Sequence, residues 1–156
     1  LYKHFGNKQN LMAATTEYLF QYLIEEFRVA FQAAQGQKDP LPIALSALWM
    51  VFLKPELYAV VELYIASRTD EDLRQALLPV LLTHQDNLLE EAKILFPHAA
   101  EHNPRFNLAV GGLMAALQGA AINAAVLREQ SNASEFASFV EEICRRELEP
   151  PYGGSP

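Results

Sequence analysis

The chain has 156 residues and a hydrophobic fraction of 51%, which is enough for one domain to bury a sizeable core. Its formal net charge of −7 argues against nucleic-acid binding by these 156 residues on their own, because clustered Lys and Arg are needed to bind a phosphate backbone. The charge is uneven: residues 1–16 carry Lys3 and Lys8 without an acid, which leaves −9 for the other 140 residues.

Apolar residues recur at spacings of three and four without sustained alternation, so we predict an all-α fold of six helices. The first helix begins after Gly6, which can end a preceding helix in the left-handed conformation. Asn7 can cap the new helix, which we expect to reach about residue 34. Its predicted apolar face comprises Leu11, Ala14, Tyr18, Tyr22 and Phe27.

Proline and acidic residues mark the predicted starts of the next three helices. Asp39 and Pro40 suit the start of a second helix, IALSALWMVFL, and Pro55 starts a third, ELYAVVELYIASR. Thr69 with the acid three residues later resembles a capping box and opens a long fourth helix, to about residue 96. We expect a kink in this helix at Pro79, which removes one backbone hydrogen bond.

After a predicted loop, FPHAAEHNP, a fifth helix spans about 103–128 and a sixth about 132–148. The fifth is apolar for about 20 residues, the length of a bilayer crossing. Its Ala and Gly gain little in lipid, and Gln118 and Asn123 interrupt it. We therefore interpret it as a helix buried on nearly every side of a protein that does not enter the membrane.

A helix without a polar face in a small domain needs a second covering surface, which a second copy of the chain can supply across a two-fold axis. A central core helix of a monomer is the alternative. The predicted dimer interface comprises Gly112, Ala116, Ala120, Ala124, Phe136, Phe139, Val140 and Ile143.

HAAEH, from His98 to His102, matches the H-x-x-E-H pattern of some zinc peptidases. That chemistry needs both histidines on one helical face and a third ligand. Pro97 and Pro104 bracket the segment, so we prefer a solvated loop and expect no catalytic residue, metal site or cofactor. Cys144, the single cysteine, fits a structural position and a reducing, cytoplasmic setting.

Aromatic residues concentrate on the first three helices, where with a few hydroxyls they can line a small-molecule pocket. A plain hydrophobic core is the alternative. The predicted pocket comprises Tyr18, Tyr22, Trp49, Phe52, Tyr58, Glu62, Tyr64, His84, Met114 and Gln118. Glu62 inside it would need a partner such as Arg68 or a cationic ligand, while histidines in the position of His84 are more often structural.

The opening stretch, LYKHFGNKQNLM, resembles the end of the helix-turn-helix of the TetR family of bacterial transcriptional regulators. The matching residues are Leu1, Tyr2, His4, Phe5, Gly6, Lys8 and Leu11. The stretch ELYIASRTDEDLR also resembles a sequence segment that is common in the regulatory domains of one branch of that family. The resemblance implies a six-helix regulatory domain whose last two helices form a dimeric four-helix bundle. Residues 1–7 would be the remnant of a DNA-binding domain, 8–149 the ligand-binding and dimerisation domain, and 150–156 a tail.

The resemblance implies a ligand-responsive regulator, with repression the favoured mode. Its homodimer would present two recognition helices to operator half-sites about 34–36 Å apart. Tyr2, His4 and Lys8 would contact phosphates, which position the protein without reading sequence. A small hydrophobic or aromatic effector would shift the helix that begins at Lys8 and separate the recognition helices. The alternative is a helical small-molecule or lipid-binding module without DNA function.

Most of the family's DNA-binding domain has no counterpart among these residues. We therefore predict that the 156-residue chain alone does not bind operator DNA measurably, in keeping with its net charge of −7. A gel-shift assay checks this, and a nanomolar, sequence-specific shift would contradict it.

Overall fold

The computed structural model describes residues 5–32, 37–39, 41–127 and 133–148. Within these ranges it contains helices and no strand, which confirms the predicted all-α class. The helices are α1 Lys8–Gln32, α2 Leu41–Phe52, α3 Pro55–Ser67, α4 Glu71–Leu95, α5 Pro97–His102, α6 Phe106–Leu127 and α7 Ala133–Leu148.

The start of α1 forms as predicted, but its buried face differs. Gly6 has a φ of 77°, and Asn7 Oδ1 accepts a hydrogen bond from the backbone N–H of Asn10 at 2.8 Å. The buried residues are Ala13, Thr16, Phe20, Leu23 and Ile24. This stripe keeps the helical spacing of three and four, and it leaves Tyr18 and Tyr22 on the opposite, exposed face.

Asp70, and not the predicted Thr69, caps α4. Its side chain accepts a hydrogen bond from the backbone N–H of Leu73 at 2.9 Å. The Thr69 hydroxyl instead donates back to the Ala66 carbonyl at the end of α3, at 3.3 Å. The helix then continues through Pro79, so this proline does not end it.

The HAAEH segment, predicted as a loop, forms the short helix α5. Pro97 takes the first position of the helix, where its missing N–H is not needed. Ala99 anchors the helix in the core at 1% exposure. The rings of His98 and His102 stack on the exposed side with centroids 4.3 Å apart.

Two clusters of buried side chains form much of the core in the described part of the chain. The larger joins α2, α4, α5, α6 and α7 and comprises Leu41, Ala92, Ala99, Phe106, Val110, Leu117, Val140, Cys144 and Leu148. The smaller lies between α1 and α4 and comprises Ala13, Leu73 and Leu77. Cys144 is therefore a buried core residue, as its helical pattern predicted.

In the single chain, α6 is buried on one face and exposed on another, so burial on nearly every side would need a second covering surface. One face is buried, through Phe106, Val110, Leu117 and Ala121. Another face is exposed and made of small residues, Gly112, Ala115, Ala116 and Gly119. By length and composition alone α6 is also apolar enough to cross a membrane, a property it shares with core helices of soluble proteins.

Asn103 ties the end of α7 to the corner between α5 and α6. Its buried side chain donates to the Glu147 carbonyl at 2.7 Å and accepts from the Arg105 N–H at 2.8 Å. Because Asn103→Ala leaves both backbone groups without these partners, we expect the free energy of unfolding to fall by about 1–3 kcal/mol. Urea denaturation measures it.

Asn87→Ala, at an exposed position of α4, is the matched control for this prediction. A surface substitution of this kind should change the free energy of unfolding by no more than about 0.5 kcal/mol. Equal losses in the two variants would show that the Asn103 contacts do not stabilise the corner.

Candidate functional site

Within the described residues, the helices line two adjoining cavities that are partly open to solvent. The outer chamber has a volume of about 430 Å³ and lies mainly between α3, α4 and α6. The inner chamber, of about 100 Å³, lies among α1, α2, α4, α6 and α7. The two chambers share a wall formed by Phe20, Phe52, Leu57, His84, Leu88, Val110 and Met114. The outer volume falls within the roughly 300–1,000 Å³ that is usual for small-molecule pockets.

The outer chamber combines an apolar lining with a few polar side chains. Gln85 and Asn107 are exposed and mark its solvent side, while Tyr64 and Gln118 are half-buried. None of the residues that line it in the described ranges is Asp, Glu, Lys or Arg. A charged ligand would therefore lose hydration here without meeting an opposite charge.

The two tyrosine hydroxyls of the outer chamber have different surroundings. Tyr58 donates to the Ala121 carbonyl at 3.2 Å and so joins α3 to α6. Burial raises the pKa of Tyr64, whose hydroxyl stays a neutral donor at pH 7. Among the residues that the structure describes, the Tyr64 hydroxyl and the Gln118 amide make no side-chain hydrogen bond. Both groups are thus open to a ligand.

His84, in the shared wall, stacks on Phe20 with ring centroids 3.6 Å apart and planes 6° from parallel. Its Nδ1 atom is buried without a hydrogen-bond partner in the described part of the chain. Because burial penalises the charged imidazolium, it lowers the pKa of His84 from 6.5 to about 4. The ring is therefore neutral at pH 7. A buried nitrogen of this kind is uncommon in folded proteins, and a ligand can supply its missing partner.

The inner chamber is lined almost entirely by hydrocarbon side chains. Glu91 is the one charged residue among the described residues that line it. The Glu91 carboxylate accepts hydrogen bonds from the Arg28 guanidinium, from Nε at 2.9 Å and from Nη2. This pairing raises the pKa of Arg28. A ligand group that enters the inner chamber therefore meets hydrocarbon and a carboxylate that already has its partner.

The outer chamber brings together six of the predicted pocket residues: Phe52, Tyr58, Tyr64, His84, Met114 and Gln118. The other four, Tyr18, Tyr22, Trp49 and Glu62, line neither chamber. Tyr18 and Tyr22 are 71% and 45% exposed, because the inward face of α1 carries Phe20 instead. Trp49 packs beside Phe136 of α7, with ring centroids 6.0 Å apart.

Glu62 is exposed on α3 and lies outside the lining, which removes the reason for favouring a cationic ligand. Phe20 is the most informative lining residue that sequence reasoning missed. Its signal was available, since Phe20, Leu23 and Ile24 follow the three-and-four spacing that faces a core. Tyr18 and Tyr22 are also partly apolar and form a second stripe on α1, so the sequence did not show which stripe faces the core.

Most of the predicted dimer residues lie at the surface of the single chain. The exposed or half-buried ones are Gly112, Ala116, Ala120, Ala124, Phe136, Phe139 and Ile143. Val140 is an exception: it is 3% exposed and belongs to the chain's own core. Phe136 also packs against that core, so part of its side chain is already used in contacts within the single chain. Val140 and Phe136 pack inward because the side of α7 that carries them contacts α6 and α2.

The remaining predicted sites are separate from the chambers. His98 and His102 belong to no group of three or more potential metal ligands in the described ranges. Tyr2 and His4 lie outside the described residues. Lys8 is exposed at the first turn of α1, where a cation and free backbone N–H groups can meet an anion.

Comparison with known proteins gives relatives of one kind. No family model matches the chain, and no solved structure does. Matching curated proteins, described as uncharacterized HTH-type transcriptional regulators, come from Mycobacterium bovis and from two strains of Mycobacterium tuberculosis. Each is 28% identical over 127 residues, which cover 81% of this chain and 65% of the relative. The match thus spans somewhat less than two thirds of their length and supports a protein of the transcription-regulator kind.

Proposed function

We propose that this chain is the effector-binding and dimerisation part of a ligand-responsive, DNA-binding transcriptional regulator of the TetR type. It acts in the cytoplasm, with repression the favoured mode, and catalyses no reaction. The observation that carries the ligand-binding role is the outer chamber, about 430 Å³ in volume and without a charged residue in its described lining. The relatives' names and the TetR-like opening stretch support the DNA-binding role.

Phe20 supplies a physical route from the chamber to the N-terminal end. It stacks on His84 in the shared wall, and it belongs to α1, which begins at Lys8 directly after the turn at Gly6. A ligand that displaces the Phe20 ring favours a different position of α1. The ligand and DNA then oppose each other through one coupling free energy, which must be the same in both directions.

The effector that suits this chamber is uncharged and mostly apolar, with one or two hydrogen-bonding groups. Tyr64 and Gln118 offer hydrogen bonds, and His84 offers an unpaired ring nitrogen. An anion would meet no cation in the described lining, and a cation would meet no free acid. Selectivity for neutral compounds follows from this desolvation cost.

Dimerisation uses the small-residue face of α6 in this proposal. Gly112 and Ala116 lie exposed on it, and a Cβ atom added at Gly112 would meet nothing within 4 Å in the single chain. The Phe139 side chain, on α7, is 56% exposed. A second copy would cover these groups across a two-fold axis, with the same patch contributed by both chains.

The test is selection of genomic DNA fragments by the native gene product, followed by fluorescence anisotropy with a selected fragment. We expect sequence-specific binding that weakens when a ligand of the outer chamber is added. The coupling should amount to roughly 1–3 kcal/mol, a change in affinity of about 5- to 150-fold. Ligand binding without sequence-specific DNA binding would instead favour the helical small-molecule or lipid-binding module.

A further inference from the structure

We propose that the effector is an uncharged amphiphile whose hydrogen-bonding end occupies the outer chamber and whose short, unbranched alkyl tail passes the shared wall into the inner chamber. This inference rests on the proposed ligand-binding function and adds the shape and polarity of the ligand.

The polarity of the lining changes in one direction from the surface to the interior. Gln85 and Asn107 lie exposed at the mouth, and Tyr64 and Gln118 lie half-buried within the outer chamber. Beyond the shared wall the lining is hydrocarbon, apart from the paired carboxylate of Glu91 and the thiol of Cys144. A ligand with a polar end and an apolar end therefore has only one favourable orientation.

Seven residues line both chambers, and among them the rings of Phe20 and His84 stack on each other. The Phe20–His84 stack is part of this partition, and no hydrogen bond holds His84 Nδ1 in place within the described structure. Met114, in the same wall, has an unbranched and adaptable side chain. In this proposal, rotation of these side chains joins the two spaces when the tail enters.

The volumes set the size of each end. The inner chamber, at about 100 Å³, is smaller than the roughly 150 Å³ engineered cavity that accepts benzene. It suits a few methylene groups better than a ring. The outer chamber, at about 430 Å³, has room for a ring with its polar substituent. An aromatic or alicyclic head with a short linear tail fits both.

A series of para-n-alkylphenols, from phenol upwards, tests the tail directly by isothermal titration calorimetry. In the wild-type chain we expect the affinity to rise about fourfold for each added methylene, the gain from burying one such group. The rise should stop once the tail fills the inner chamber. The matching para-n-alkylbenzoates, which carry a charge, should bind at least tenfold more weakly than the phenols.

Two variants locate the tail. Ala44 and Ala92 are buried and line only the inner chamber, so Ala44→Val and Ala92→Val reduce its volume. Each should remove most of the gain from longer tails and leave phenol binding within twofold of wild type. Val61 lines only the outer chamber, and Val61→Phe should weaken every member of the series. Melting temperatures establish that each variant is folded. The dependence of affinity on tail length in the wild-type chain tests the inference even if a variant does not fold.

The possible outcomes distinguish a failure of this inference from a failure of the ligand-binding function on which it rests. If phenols bind with an affinity that is independent of tail length, the proposed entry of the tail into the inner chamber is contradicted. The ligand-binding function of the outer chamber would still stand. Tighter binding of the benzoates would overturn the uncharged class. If no member of either series binds, both this inference and the ligand-binding role of the chamber are contradicted.

Discussion

His84→Phe is expected to stabilise the unliganded protein at pH 7 and to weaken its binding of the effector. A phenyl ring can keep the stack on Phe20 and removes the buried, unpaired Nδ1 atom. The cost of such an unsatisfied group is about 1–3 kcal/mol, so we expect a gain of about 1 kcal/mol after imperfect repacking. A ligand that hydrogen-bonds His84 should lose about tenfold in affinity.

The advantage of His84→Phe should grow as the pH falls. The pKa of His84 is about 4 in the folded chain and near 6.5 in the unfolded chain, so the unfolded state takes up the proton more readily. The wild-type stability is therefore complete above pH 6.5 and falls towards pH 4, by about 3 kcal/mol in all. Denaturant unfolding of both proteins across this interval measures the difference.

His84→Gln is the control for this prediction. It removes the titrating group and keeps a polar side chain at the position, so its stability should lose the same pH dependence without the gain at pH 7. A wild-type chain whose pH dependence equals that of both variants would show that His84 is not held neutral by burial.

Ala116→Glu is expected to convert the proposed homodimer to a monomer. Ala116 lies exposed on the small-residue face of α6, where two chains would approach closely. A two-fold interface would bury two unpaired carboxylates, one from each chain. At a combined cost of about 4 kcal/mol or more, the dissociation constant should rise by about a thousandfold. Sedimentation equilibrium at micromolar concentration measures it.

Ala59→Glu is the matched control for the dimer, since Ala59 is an exposed alanine on another helix, α3. It should leave the dissociation constant within a few-fold of wild type. A wild-type chain that is a monomer at this concentration, or an Ala116→Glu chain that is as dimeric as wild type, would contradict the proposed use of α6.

Local chemistry explains which parts of the fold were predictable from sequence. Gly6 and Asn7 specify the start of α1 by themselves, because one adopts a positive φ and the other caps the helix. The cap of α4 was misplaced by one residue, since Asp70 and Thr69 both have suitable side chains. The geometry decides for Asp70, because the Thr69 hydroxyl turns back to α3.

The candidate site was predictable only where a single helical face was unambiguous. Tyr58, Tyr64 and His84 line the outer chamber, and their contact with a ligand stays a prediction. The face of α1 was not, because Tyr18 and Phe20 belong to competing apolar stripes and only tertiary packing chooses between them. The division into two chambers was also beyond sequence reasoning, since it depends on side chains from five helices that meet at one wall.

The central claim, that the outer chamber binds an uncharged and mostly apolar effector, is tested most directly by a thermal-shift screen of neutral and charged compounds. Each compound that raises the melting temperature is then titrated by calorimetry against the wild-type chain and against Val61→Phe, whose larger ring would reduce the volume of the chamber. We expect the bound compounds to be uncharged, to occupy one site per chain and to lose at least tenfold in affinity to Val61→Phe. Binding by small polar anions alone, or equal affinity for the two proteins, would contradict the claim.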